Sequence, residues 1–185
     1  TSSGHRFWRH GDASAGAREL MASCGMGPVS DVDLDIEILD RLVWTGERRR
    51  YTMVGREREM TTLRAALRRA QRGSGKVIFV EGETGMGKSR LLSALVDSSA
   101  VSTVFLRCLP GEEGDRLCEV GTGLIFSAME LTPCLAKLDS RLVVVDDTHF
   151  LTAPNWNEVL ACARQLATRG ALVVLAGRRG GDEVG

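Results

Sequence analysis

The sequence predicts an α/β three-layer sandwich built on a parallel sheet. Three observations carry this. First, four short runs read as strands: Val77-Ile78-Phe79-Val80, Val101 to Leu106, Leu142-Val143-Val144-Val145 and Leu172 to Leu175. Second, three of the four are continuously apolar, which suits parallel strands covered on both faces. Third, the stretches between them carry apolar residues at helical spacing. Strands alternating with helices give a parallel sheet with right-handed crossovers and helices on both sides.

Residues 1–30 are rich in Gly, Ser, Ala and Arg without a clear period. They predict a poorly ordered segment, or one ordered only against a partner. In residues 31–38, Val32, Leu34, Ile36 and Ile38 alternate with Asp31, Asp33, Asp35 and Glu37. That alternation predicts a half-exposed edge strand. A solvated face explains its carboxylates better than a cation site. Gly46 to Arg50 reads as a turn and basic linker. The organisation expected is an N-terminal extension, 1–50, before a core domain, 51–185.

The core opens on a helix, with Met60, Leu63, Leu67 and Ala70 on its apolar face and Arg64, Arg68, Arg69 and Arg72 between them. From Arg41 to Lys76 there are eleven basic and three acidic residues. A nucleic-acid patch would look like this, but the polar face of an amphipathic helix is favoured. Gly73-Ser74-Gly75 ends the helix. Leu91, Leu92, Leu95 and Val96 give the next helix its buried side. Gly111 to Gly114 predicts a turn, and Leu124 to Leu131 a helix before Pro133. Asn155 and Glu158 predict a capping pair. They open a helix marked by Trp156, Val159, Leu160, Ala163 and Leu166 and stopped by Gly170.

Between the first strand and the helix after it lies Gly82-Glu83-Thr84-Gly85-Met86-Gly87-Lys88-Ser89, a match to the phosphate-binding pattern G-x-x-x-x-G-K-[ST]. The chain has only three lysines, and one stands where the pattern requires it. Glycines let the backbone curl with its N–H groups turned to a phosphate. The helix beginning near Lys88 adds the positive end of its dipole. Lys88 is expected to reach β- and γ-phosphate oxygens, and the Ser89 hydroxyl to ligate Mg²⁺. The third strand ends in Asp146-Asp147. Open α/β sheets place ligands at this carboxyl end. Asp146 is expected near the metal, and Asp147 as the general base that polarises the attacking water.

Composition bounds the rest. The 185 residues are 43% apolar, enough for one core, and the net charge is zero. No global field draws such a chain to nucleic acid or membrane. No apolar run approaches a membrane span, and no secretion signal is visible in residues 1–20, so a cytoplasmic location is expected. Cys24, Cys108, Cys118, Cys134 and Cys162 are odd in number and lack a C-x-x-C pair, which fits reduced thiols. His5 and His10 have no companions at ligand spacing and read as solvated residues.

The placed motifs resemble those of the STAND/AAA-type branch of P-loop ATPases. The nearest likeness is to the ATPase modules of large LuxR-type transcriptional regulators and multidomain adenylyl cyclases. Met53-Val54-Gly55-Arg56-Glu57-Arg58-Glu59 is similar to the hhGRExE box of that family. Val80 to Leu92 resembles its GxxGxGKSRL loop, Val145 to Phe150 its DD-x-H-[WF] metal box, and Val173 to Arg179 its sensor strand. The likeness spans about residues 51–180. It implies a P-loop NTPase fold of the ASCE type that binds ATP and Mg²⁺. Val54, Gly55 and Arg56 would line the adenine end. Gly82, Glu83, Thr84, Gly85, Met86, Gly87, Lys88, Ser89 and Arg90 would hold phosphates. Ser89 and Asp146 would serve the metal. Arg178 or Arg179 would sense the γ-phosphate. His149 and Phe150 would buttress the metal strand. The family's region before the metal box is longer than residues 107–140, and it continues into a further strand and a helical lid. The chain is therefore expected to be truncated before both.

The function expected first is a slowly hydrolysing ATP switch in a signalling or transcription-regulatory protein. The alternatives are a non-catalytic nucleotide-binding fragment and an AAA-type ATPase associated with nucleic acid. A small-molecule kinase ranks last, because the paired aspartates and the upstream box argue against it. Expected partners are the nucleotide and either further copies of the chain or flanking domains. Nucleic acid is expected only through another domain, and no membrane.

Overall fold

The computed structural model describes residues 55–110, 116–120, 125–127, 135 and 139–178. Its elements, in chain order, are α1 (Glu57–Ala70), β1 (Lys76–Glu81), α2 (Lys88–Asp97), β2 (Thr103–Leu109), β3 (Arg116–Glu119), β4 (Ile125–Ser127), β5 (Leu142–Asp146), a 3-10 turn (Thr148–Phe150), α3 (Ala153–Thr168) and β6 (Leu172–Gly177). The predicted strand at 31–38, the turn at Gly111–Gly114 and the extension 1–50 lie outside the described residues.

The six strands form one sheet in the order β1-β6-β5-β2-β3-β4. The first four in that order are mutually parallel, whereas β3 and β4 pair antiparallel. Helices α1 and α2 cover one face and α3 the other, as expected of a three-layer sandwich. Alternation along the strands divides the core accordingly. On β5, Leu142 and Val144 pack with Met60, Leu63 and Leu67 of α1 and Leu91, Leu92 and Leu95 of α2. Val143 and Val145 turn instead to Val159, Cys162, Ala163 and Leu166 of α3. The same division puts Phe105 of β2 on the α1/α2 side, and Leu106 and Cys108 on the α3 side.

Helix α1 buries Met60, Leu63, Ala66, Leu67 and Ala70, while Arg64, Arg68, Arg69 and Arg72 are exposed. Glu57 and Glu59 in its first turn and Arg68 and Arg69 in its last complement the helix dipole. Gly73, at φ 87°, supplies the left-handed residue that ends it. Gly170, at φ 94°, does the same after α3.

Three sequence expectations are corrected. Residues Ile125–Ser127, expected within a helix, form β4. Phe126 is 3% exposed and pairs with the fully buried Leu117 of β3, so sheet pairing overrides a weak helical spacing. The second strand starts at Thr103 rather than Val101 and runs to Leu109, because its register is set by β5, where Thr103 meets Leu142. Helix α3 begins at Ala153, with Thr152 at the cap and Pro154 in the first turn, and no side chain caps it. Asn155 and Glu158 therefore lie inside the helix. Proline's fixed φ favours a start at this point.

Cys108, Cys118 and Cys162 are buried and form no disulfide. Burial pushes the Cys162 thiol up to about 11, which keeps it protonated and unreactive at neutral pH. Among the described residues, no helix is long and apolar enough to cross a membrane.

Candidate functional site

The carboxyl ends of β1, β6, β5 and β2 line up. Glu81 pairs with Gly177, Val145 with Leu175, and Arg107 with Asp146. The segments leaving these strands therefore gather at one rim: the Gly82–Ser89 loop after β1, Arg178 after β6, and Asp147 after β5.

The loop owes its path to two glycines. Gly85 and Gly87 sit at φ 82° and 78°, and a Cβ at either would meet nothing within 4 Å. It is backbone conformation, not crowding, that calls for glycine there. Gly87 also forms the N-cap of α2, and no side chain caps that helix start. Its first N–H groups lack intrahelical partners. Lys88 folds back over the loop, its Nζ donating to Gly82 O at 2.6 Å and Glu83 O at 2.9 Å. Ser89 and Arg90 come next as the second and third residues of α2, half-buried and exposed respectively.

The Gly55-Arg56 segment reaches the same loop. Arg56 Nη2 donates to Met86 O at 2.9 Å, and its Nη1 to Glu59 Oε1 at 2.7 Å. That bond holds Glu59 below the usual carboxylate range. Gly55 N donates to Glu57 Oε1 at 3.1 Å, with Gly55 at φ 84°. Val54, predicted beside them, and Arg179 lie outside the described residues.

Asp146 is fully buried, on the α1/α2 side of the sheet by the alternation of β5. Its Oδ1 accepts the Asp147 N–H at 2.9 Å, while its Oδ2 accepts no hydrogen bond from the described residues. Asp147 has φ 57°, a left-handed conformation that Asp and Asn tolerate better than most residues. It turns the chain into the 3-10 segment, where Thr148 Oγ1 donates to Ala176 O of β6 at 3.0 Å. The His149 and Phe150 rings lie against each other, tilted by 37° with centroids 4.2 Å apart, and both His149 ring nitrogens are buried without a hydrogen bond among the described residues. Burial pushes the His149 pKa down, so its neutral form is favoured.

Sequence reasoning missed one charged residue of this rim. Arg107 of β2 faces both acids, with Nη2 4.0 Å from Asp146 Oδ2 and Nε 3.8 Å from Asp147 Oδ2. The only signal was an arginine interrupting the apolar run Val104-Phe105-Leu106-Arg107-Cys108-Leu109.

Burial, reinforced by the adjacent Asp146, pushes the Asp147 carboxyl above its ordinary range. The charges of Arg107 and Lys88 pull the other way. The influence of Lys88 on both Asp147 and His149, and of Arg178 on His149, puts the loop and the acidic pair in one electrostatic field. A carboxyl raised in the fold binds its proton more tightly there than in the unfolded chain. Its contribution to stability is present below the unfolded pKa and is lost as pH rises through the folded one. Asp147→Asn is therefore expected to raise Tm at neutral pH relative to the native chain, and the gain should shrink as pH falls toward 4, near the ordinary carboxylate value. Thermal melts at several pH values read this; equal melting of both proteins at neutral pH would contradict it.

The residues present fit a hard divalent cation bound with a phosphate. The oxygens that would hold it are the Ser89 hydroxyl and Asp146 Oδ2, a buried carboxylate oxygen that accepts no hydrogen bond from the described residues. Among the described residues, no group of three or more His, Cys, Asp or Glu assembles an all-protein cage. Mg²⁺ commonly binds through one or two protein groups together with substrate phosphates.

A family model described as AAA ATPase domain matches residues 52–174. The chain belongs to this family. No curated protein matches it. Among solved structures, this AAA ATPase domain is similar to a DNA replication initiation factor at 16% identity and a TM-score of 0.48, over 71% of this chain and 40% of that one. It is also similar to a protein described as an ATPase from Cytophaga hutchinsonii, at 12% identity and a TM-score of 0.41, over 92% of this chain and 48% of the other. The chain thus spans less than half the length of either solved protein.

Proposed function

We propose that residues 51–185 are the nucleotide-switch core of a cytoplasmic signalling or transcription-regulatory ATPase of the STAND type, with residues 1–50 as an extension. The observation that supports this best is the convergence at one sheet rim of a Gly-Lys phosphate loop, two adjacent acids of which Asp146 is buried, and the Gly55-Arg56 segment bonded to the loop. In this reading Gly82 to Arg90 hold the phosphates of ATP, with Lys88 as the mobile cation among them. Val54, Gly55 and Arg56 bound the adenine end. Ser89 and Asp146 hold Mg²⁺, which neutralises phosphate charge when bound. Asp147, its basicity raised by burial, accepts a proton from the attacking water. Arg178, exposed after β6, answers the γ-phosphate. Partners beyond the nucleotide are flanking domains or further copies of the chain.

Turnover tests the reading. Asp147→Asn keeps the backbone conformation but cannot accept the proton. ATP affinity should stay within about threefold, while phosphate release should fall about 100-fold or more. Unchanged release would remove Asp147 from this role. Release stimulated by DNA would favour a nucleic-acid-associated ATPase over a signalling switch.

A further inference from the structure

The Asp146–Asp147 pair carries two carboxylates on adjacent residues, one of them fully buried. Such a pair is unfavourable without a counter-charge. Arg107 supplies one, and it does so loosely. Its contacts with Asp146 and Asp147, at 4.0 and 3.8 Å, are ion contacts too long for hydrogen bonds. Among the described residues its buried Nε finds no acceptor, and Asp146 Oδ2 no hydrogen-bond donor. A guanidinium that belonged permanently to this pair would be expected to close into a bidentate fork. Instead the geometry keeps charge compensation without locking either partner.

We infer that Arg107 is a resident counter-cation: a positioning residue that neutralises the acidic pair when no divalent ion is bound and opposes entry of that ion. The inference rests on the reading of Asp146 as a metal-binding residue. Two features of the fold make the arrangement specific. Arg107 and Asp146 are directly paired in the parallel β2–β5 register. The alternation of β2, with Leu106 and Cys108 facing α3, sends Arg107 to the α1/α2 side, where Asp146 also lies. The cation is thus carried by a strand and not by a mobile loop. Its side chain is only 24% exposed, so the head can withdraw only a short way. Divalent-ion binding must then work against a fixed positive charge, which sets a threshold below which the free ion is excluded. A nucleotide that arrives with its own negative phosphates offsets that charge. Arg107 would in this way favour the ion and the nucleotide entering together over the ion alone.

The test is Mn²⁺ binding to the nucleotide-free full chain, followed by electron paramagnetic resonance of the free ion. Arg107→Gln removes the charge and retains polar length. Arg107→Lys retains the charge and is the folded control if the glutamine variant is unstable. Asp146→Asn tests the underlying site. Arg107→Gln should bind Mn²⁺ about tenfold more tightly than the native chain, and Arg107→Lys within about twofold of it. Adding Mn²⁺ should raise Tm more in Arg107→Gln than in the native chain. Weaker or unchanged Mn²⁺ affinity in Arg107→Gln, with Asp146→Asn abolishing binding, would overturn the counter-cation role and leave the metal site standing. If Arg107→Gln does not fold, Arg107→Lys binding Mn²⁺ more than fivefold tighter than the native chain would overturn it equally. Mn²⁺ affinity unaffected by Asp146→Asn would overturn the metal site, and this inference with it.

Discussion

Lys88→Ala is expected to weaken ATP binding by about 100-fold or more, corresponding to about 3 kcal/mol. Lys88 is held over the loop, and its ammonium bonds main-chain oxygens of Gly82 and Glu83. Those carbonyls are weak competitors for a phosphate, whose charged oxygens make the stronger hydrogen bonds. The amino group can therefore pass from carbonyls to phosphate. In the alanine variant Arg90 does not take the place of that ammonium over the loop, because it starts two residues on, around the first turn of α2. Folding should be little affected. Alanine favours a helix start, and water can replace the lysine at the half-exposed carbonyls. A fluorescent-ATP titration paired with a thermal melt separates the effects. Affinity within threefold of native, at unchanged Tm, would mean that the loop is not the nucleotide cradle.

Gly75→Ala should be the most damaging small substitution in the core. The added Cβ would run into Ala167 O and would come within 2.5 Å of Ala171 O and 2.8 Å of Ala171 N. All three are main-chain atoms at the end of α3 and the approach to β6, so no rotamer change relieves the contact. The same Ala171 O accepts the Lys76 N–H at 3.0 Å, which starts the β1–β6 pairing. Relief must therefore move the strand that carries the phosphate loop. A cost of about 3 kcal/mol is expected, lowering Tm by about 10 °C. Gly73→Ala is the internal control. Gly73 sits two residues earlier at φ 87° with open space around it. Its cost should be only about 1 kcal/mol, arising from the left-handed backbone alone. Melting of Gly75→Ala within a degree of native would show that the close passage of β1 beside α3 is not maintained in solution.

The central parallel strands β5 and β6 are readable because burial on both faces leaves an unbroken mark: Leu142 to Val145 and Leu172 to Leu175 are apolar at every position, whereas β1 is apolar but half-exposed at the sheet edge. The antiparallel pair left no such mark. Arg116–Glu119 and Ile125–Ser127 are four and three residues long, too short for alternation to show, and they are stabilised by pairing with each other and with β2. Leu124 to Leu131 consequently read as a helix. The start of α3 differs from its local signal, whereas α2 begins at Lys88 as its loop implies. Asn155 and Glu158 have the spacing of a capping pair, but Thr152 followed by Pro154 is the observed start. At the rim, the glycine-lysine loop was visible because its chemistry is contiguous in sequence. Arg107 was not. Its relation to Asp146 exists only through register across β2 and β5, and an isolated arginine in an apolar strand carries no local sign of what it faces.

One short bond gives the molecule a mechanical property. Met86 O, at the crest of the phosphate loop, is held by a guanidinium that stands immediately before α1. The same guanidinium grips Glu59, inside that helix. Any reshaping of the loop crest must either stretch this tether or drag the first helical turn along with it. A displacement of the loop crest is thereby passed to the start of α1 as traction, through one side chain and without any change in the sheet.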